Sequence, residues 1–240
     1  MGDAVIEETG KREQAKAERR SRIVQAARDL IRETGDTNLS MRMIAKRADV
    51  SLATPYNLFG SKRAVVLAVF EDERDFAVRF GRIKAANAID RLFAAQELAS
   101  SYFTEDPDFY QTIWKALLDT RGTDETGLAT TERLERNSAA WRALIEAAQT
   151  EGLINASFAS EALERTLSYL ANGVMLSWVM GTLETRHLRA AGALGYAIAL
   201  RGAATGKGIA LLDERIRSFE SLLHDKTAPA ASLKQAARGA

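Results

Sequence analysis

Between Ser40 and Lys62 the chain gathers side chains suited to gripping a DNA duplex and little that could make or break a covalent bond. Leu52, Ala53 and Thr54 are small or mid-sized, which lets a backbone approach base edges and thymine methyls closely. Tyr56 and Asn57 carry polar ends that reach phosphate or base, and Arg42 and Lys62 offer positive charge to the phosphate backbone. Ser40 and Ser51 each precede a short helical stretch, where a hydroxyl can satisfy the first free N–H groups. Both complete the candidate DNA-contacting set.

Catalytic chemistry has little material. Cysteine is absent, which leaves no thiolate nucleophile and no Cys-based metal site. The only histidines, His187 and His224, have no partner histidine in helical register, so no metal and no Ser-His-Asp arrangement is expected. The stretch Gly202 to Gly208 looks faintly like a phosphate loop. It has three residues between its first glycines instead of four, and Gly208 stands where Ser or Thr would bind magnesium. Acid pairs such as Glu132 and Glu135 suit a solvated helix face. The expectation is a protein that is not an enzyme and needs no cofactor.

The elements that position the candidate residues follow from the spacing. Ile23, Ala26, Ala27, Leu30 and Ile31 recur at helical intervals, predicting a first helix to about Thr34 that Gly35 ends. Asp36, Thr37 and Asn38 make a polar turn, and Ser40 caps a second helix from Met41 that turns Ile44, Ala45 and Ala48 inward and ends near Asp49. Ser51 caps a third, Leu52 to Phe59. Gly60 breaks it, and Ser61 caps a fourth that starts at Lys62. Two short helices joined by about three residues have helix-turn-helix geometry, in which the second enters the major groove. On spacing alone, a helical domain whose short helices are mere connectors stays open. Pro55 falls at the fourth position of the predicted third helix, where it threatens one backbone hydrogen bond.

The run from Arg22 to Lys62 resembles the N-terminal DNA-binding domain of TetR-family regulators. The similarity lies in Ile23, Ala26, Ala27, Leu30 and Ile31 followed by Gly35; in Ile44, Ala45, Ala48, Val50 and Ser51; and in Tyr56, Phe59, Ser61 and Lys62. The resemblance implies a three-helix domain in which Tyr56 and Lys62 grip phosphates while Leu52 to Asn57 read the site. It also implies a homodimer formed through the last long helix pair, and a body whose small-molecule pocket alters the spacing of the two DNA-binding heads. Two positions depart from the pattern. Asp49 stands where glycine is common, and Asp tolerates a left-handed backbone better than most residues. Pro55 puts in doubt which side chains of the third helix face bases.

The whole chain fits this reading. It has 240 residues, three prolines and abundant Ala, Leu, Arg and Glu, without alternating β-type runs, so the fold class expected is all-α. The net charge of +1 hides an asymmetry: Lys11 to Arg63 holds roughly 13 basic and 6 acidic residues, favouring an anionic partner for that quarter. Four segments are expected: a basic arm (1–18) that either contacts DNA, through Arg19 and Arg20 at its end, or is solvated; the DNA-binding domain (19–79); a ligand-binding and dimerisation domain (80–225); and a frayed tail (226–240).

Further helices are predicted over 62–80, 86–103, 108–120 and 131–151, with a loop at 121–127, then over 160–181 and 185–204. In the last two, Leu163, Leu167, Leu170, Val174 and Trp178 form one stripe, and Leu188, Gly192, Gly195, Ala199 and Gly202 another. These two helices, about 160–181 and 185–204, either dimerise as a four-helix bundle or form a hairpin inside the core. Candidate ligand-lining residues are Phe103, Tyr110, Trp114, Leu117, Asn137, Trp141, Tyr169 and Asn172, a mix of apolar wall and polar groups. The expected partners are a double-stranded palindromic operator, a second copy of the chain and a small-molecule effector. The N-terminus lacks an apolar signal core, and the stretch Tyr169 to Met180 is too short to span a bilayer, so a cytoplasmic repressor is expected. An activator of the same fold, or an all-α protein–protein interaction module, are the alternatives.

Overall fold

Residues 2–72, 76–118 and 131–224 are described by a computed structural model, and they form helices with one isolated antiparallel bridge, Ile154 to Ala204. In chain order the helices are α1 (Gly2–Thr34), α2 (Met41–Arg47), α3 (Ala53–Phe59), α4 (Lys62–Asp72), α5 (Phe76–Gly81) and α6 (Ala88–Glu105). They continue with α7 (Pro107–Leu118), α8 (Thr131–Thr150), α9 (Ser160–Val179), a 3-10 turn (Thr185–His187), α10 (Leu188–Ala203) and α11 (Gly206–His224). The helices fall into two units. One holds α1 to α4 with α7; the other holds α5, α6 and α8 to α11.

In the first unit α1 buries the predicted face, Ile23, Ala26, Ala27 and Ile31, against Met41, Ile44 and Ala45 of α2 and Val65, Val69 and Phe70 of α4. Removing that apolar area from water holds the small domain together. Local chemistry sets the corners. Gly35 adopts φ 62° and donates to the Ile31 carbonyl (2.9 Å), ending α1 as expected. The Ser40 hydroxyl accepts from the Met43 N–H (3.1 Å), and the Ser61 hydroxyl from Ala64 (3.0 Å). After α2, Asp49 takes φ 51° while the Val50 N–H reaches the Ala45 carbonyl (3.0 Å) and the Asp49 N–H that of Lys46 (3.4 Å). This is a Schellman turn with aspartate in the position glycine usually takes. Helix α7 closes the unit: Phe70 meets Tyr110 and Trp114 edge-on, and the Arg63 guanidinium donates to the Leu117 carbonyl (2.7 Å) at the helix C-terminus.

In the second unit Ile89, Leu92 and Phe93 of α6 pack with Leu144 and Ile145 of α8, Leu167 of α9, Tyr196 and Leu200 of α10, and Leu212 and Phe219 of α11. Asn87 caps α6 by accepting from the Asp90 N–H (2.9 Å). A buried ion pair ties α6 to α10, Arg189 to Glu97 (2.8 Å), and Arg189 also donates to the Thr104 hydroxyl (3.0 Å). Arg215 of α11 pairs with Asp90 and lies over the Phe93 ring.

Several expectations need correction. Helix α1 begins at Gly2, so residues 2–18 continue the first helix instead of forming a separate arm. Helix α3 begins at Ala53, and the Ser51 hydroxyl does not cap it; that oxygen lies 2.9 Å from the Thr54 hydroxyl. Pro55 is therefore the third helical residue, within the first turn, where an N–H has no helical acceptor to lose. The predicted break at 104–107 shrinks to Asp106, because Pro107 starts α7. Helix α11 was not foreseen. The glycine-rich stretch that was set aside as a phosphate loop is its entry: the Thr205 hydroxyl accepts from Gly208 (3.4 Å), and Asn155 donates to the Ala203 carbonyl (2.8 Å). A Cβ at Gly208 would lie 2.0 Å from the Leu153 carbonyl oxygen, so only glycine fits there. The predicted loop at 121–127 and tail at 226–240 lie outside the described residues, as do residues 73–75 of the predicted 62–80 helix.

Candidate nucleic-acid interface and ligand cleft

The α2–α3 pair leaves one face open. Leu52 and Tyr56 are 42% and 51% exposed, unusual for such large side chains, and with Ala53 and Asn57 they recur four apart on one side of α3. Arg42 and Lys62 are exposed beside it in sequence. Pro55, the residue feared to disturb the helix, is the one that turns inward and is buried. Thr54 is half-buried, and Ser40 and Ser51 are exposed but engaged locally, Ser40 as a cap and Ser51 with Thr54. The C-terminal end of α3 is fastened by Arg20: its guanidinium sits 4.2 Å from the centre of the Phe59 ring and donates to the Leu58 carbonyl (3.3 Å). Arg20, a candidate DNA contact by sequence, instead positions α3, while Arg19 and Arg22 are exposed. Met43, 42% exposed on α2, was missed because methionine carries no charge signal.

The second unit contains a cleft with about 430 Å³ of empty space, part of it in the open mouth. Its walls are Gln96, Ser100 and Phe103 from α6, Trp141 from α8, Val174 and Met175 from α9, and Leu188, Gly192 and Tyr196 from α10. Of the predicted lining residues, Phe103 and Trp141 are here. Tyr110, Trp114 and Leu117 are core of the first unit, packed through α7. Asn137, Tyr169 and Asn172 are exposed on outward helix faces, Tyr169 by 68%. The sequence reading favoured aromatic residues and so passed over Gln96 and Gly192. Trp141 meets Tyr196 edge-on at 5.7 Å between ring centres. Burial, reinforced by the nearby Glu164 carboxylate, pushes the Tyr196 phenol well above its ordinary range, so its hydroxyl keeps its proton.

Residues 23–69, which span α2, α3 and most of α1's buried face and α4, match the family model for bacterial regulatory proteins of the tetR family. That segment is similar to the DNA-binding domain of this family. The fold of the whole agrees with it. The structure is similar to that of full-length TylP, a TetR regulator from Streptomyces fradiae, with 17% identity over 92% of this chain and 97% of that one and a TM-score of 0.55. It is similar to a TetR transcription regulator from Haloarcula marismortui, at 18% identity over 79% of this chain and 100% of that one, TM-score 0.60. It is also similar to SmeT, the repressor of the Stenotrophomonas maltophilia multidrug efflux pump SmeDEF, at 19% identity over 78% and 91%, TM-score 0.56. No curated protein matches the sequence. The α2–α3 pair lies within the segment that matches the family model, two short helices joined by a tight turn.

The two helices expected at a dimer interface divide their predicted stripes between core and surface. Leu188 and Gly192 of α10 are buried, and a Cβ at Gly192 would lie 2.8 Å from the Gln96 side chain of α6, so that end of the stripe serves contacts inside the chain. Leu167 and Trp178 of α9 are likewise core. The outward surface holds Tyr169, Gly173, Leu176 and Met180 on α9, and on α10 Ile198 with Gly202 of the predicted stripe, while Leu194 and Gly195 are half-buried beside them. Among the described residues no helix is long and apolar enough to cross a membrane.

Proposed function

We propose that the protein is a homodimeric repressor that reads a palindromic operator through α3 and is released by a small molecule bound in the second unit. The observation that carries the reading is the exposed face of α3, where Leu52 and Tyr56 are 42% and 51% exposed although the domain's other helices bury a continuous apolar core. Tyr56 and Lys62 hold phosphates, which fixes register, and Leu52, Ala53 and Asn57 meet base edges. Two copies place their α3 helices in successive major grooves, about 34–36 Å apart or a multiple of that. The copies join through the outward faces of α9 and α10, which supply an apolar surface on adjacent helices. Effector binding favours a head spacing that no longer fits the operator, and the equilibrium moves off DNA. A similar chain, SmeT, is a repressor, which supports the sign of regulation chosen here. A repressor of this kind would work in the cytoplasm, where its operator lies.

The test is fluorescence anisotropy on a selected operator with Tyr56→Ala and Lys62→Ala proteins. Each weakens binding about tenfold, the equivalent of about 1.4 kcal/mol, while sedimentation still reports a dimer. Lys62→Ala also flattens the fall of affinity with salt by about one counterion. Unchanged affinity in both variants would displace α3 as the reading element.

A further inference from the structure

We propose that the cleft of the second unit takes an uncharged, ring-bearing molecule that donates one hydrogen bond to the side-chain carboxamide oxygen of Gln96. The proposal rests on the ligand-responsive reading above and names the chemistry of its site. Gln96 is only 7% exposed and lines the cleft. Its amide nitrogen donates to the Ser100 hydroxyl (2.8 Å), and that hydroxyl gives its one proton to the Gln96 backbone carbonyl (2.9 Å). The hydroxyl can therefore only accept from the carboxamide, which fixes the amide nitrogen on the Ser100 side. The carboxamide oxygen has no donor among the described residues, and an acceptor on this cleft-lining side chain gains from a ligand O–H or N–H. Gly192 keeps the seat clear: a Cβ there would lie 2.8 Å from the carboxamide nitrogen.

The walls decide the rest. Phe103, Trp141 and Tyr196 offer ring faces and edges, Val174, Met175 and Leu188 fill between them, and no lining residue is charged. Arg189, next to Leu188 in sequence, is closed by Glu97 and Thr104. A carboxylate or ammonium group entering the cleft would lose its water without gaining a counter-charge.

Calorimetry on the free, full-length protein at neutral pH tests this with four probes of one ring system: 2-naphthol, naphthalene, 2-naphthoate and 2-naphthylmethylammonium. The expected result is that 2-naphthol binds about fivefold tighter than naphthalene, the size of one net neutral hydrogen bond. Both charged probes bind at least about tenfold more weakly than 2-naphthol. Gln96→Leu removes the preference for the hydroxyl and leaves naphthalene binding in place. Gly192→Ala, a change that favours the helix, displaces the carboxamide and removes the same preference, so a folding defect in one variant does not decide the matter. Absence of 2-naphthol binding, a charged probe binding as tightly, or a hydroxyl preference that survives in both variants would overturn the proposal. Binding with the expected preference but no change in operator affinity would uphold this chemistry and contradict the release mechanism instead.

Discussion

Asp49 and Gly208 show how single positions hold the corners of the chain. Asp49 adopts φ 51° at the end of α2, where its amide and that of Val50 complete the turn towards α3. A β-branched side chain tolerates that conformation poorly, so Asp49→Val should destabilise the protein by about 1–2 kcal/mol, read as a lower denaturant midpoint; Asp49→Gly should not. Gly208 faces the Leu153 carbonyl so closely that Gly208→Ala must move one helix, at a cost of about 1–3 kcal/mol. The first position was readable in the sequence because one residue in a known turn pattern states its own backbone demand. The second was not: its constraint comes from a carbonyl 55 residues away in the chain. Pro55 teaches the same lesson, since moving the start of α3 by one residue turns a suspected disruption into a first-turn residue without cost.

At the level of elements, periodicity located most helices but not what each face meets. The apolar stripe of α1 and the caps Ser40 and Ser61 were legible because their causes are local. The stripe of α10 was legible as a stripe, yet its first residues, Leu188 and Gly192, are buried, Gly192 against α6, while Gly202 at its far end is exposed. The ligand residues suffered likewise: Trp114 and Trp141 look alike in sequence and end in different units. The buried pair Arg189–Glu97, which joins α6 to α10 beside the cleft, gives an element-scale prediction. Arg189→Met removes the charge that faces Glu97 in this pair and should lower stability by on the order of 3 kcal/mol. Replacing both, with Glu97→Leu added, should recover most of that loss in thermal melts. A double variant no better than the single one would mean that the packing of the long side chain, and not the charge, matters.

For the whole molecule, the proposed function requires two copies that present two α3 helices at a fixed spacing. The outward faces of α9 and α10 supply the means, and Leu176→Arg combined with Ile198→Arg should yield a folded monomer by analytical ultracentrifugation. That monomer should bind a palindromic site far more weakly, because the second half-site no longer adds its contribution. The central claim, sequence-specific recognition by a dimer through α3, is tested most directly by selecting bound fragments from a random duplex-DNA pool with the unmutated and Tyr56→Ala proteins in parallel. The account predicts a palindrome enriched only by the unmutated protein, its half-sites centred one helical turn apart or a multiple of it. Enrichment of no common sequence at low salt, or the same palindrome enriched equally by Tyr56→Ala, would contradict it.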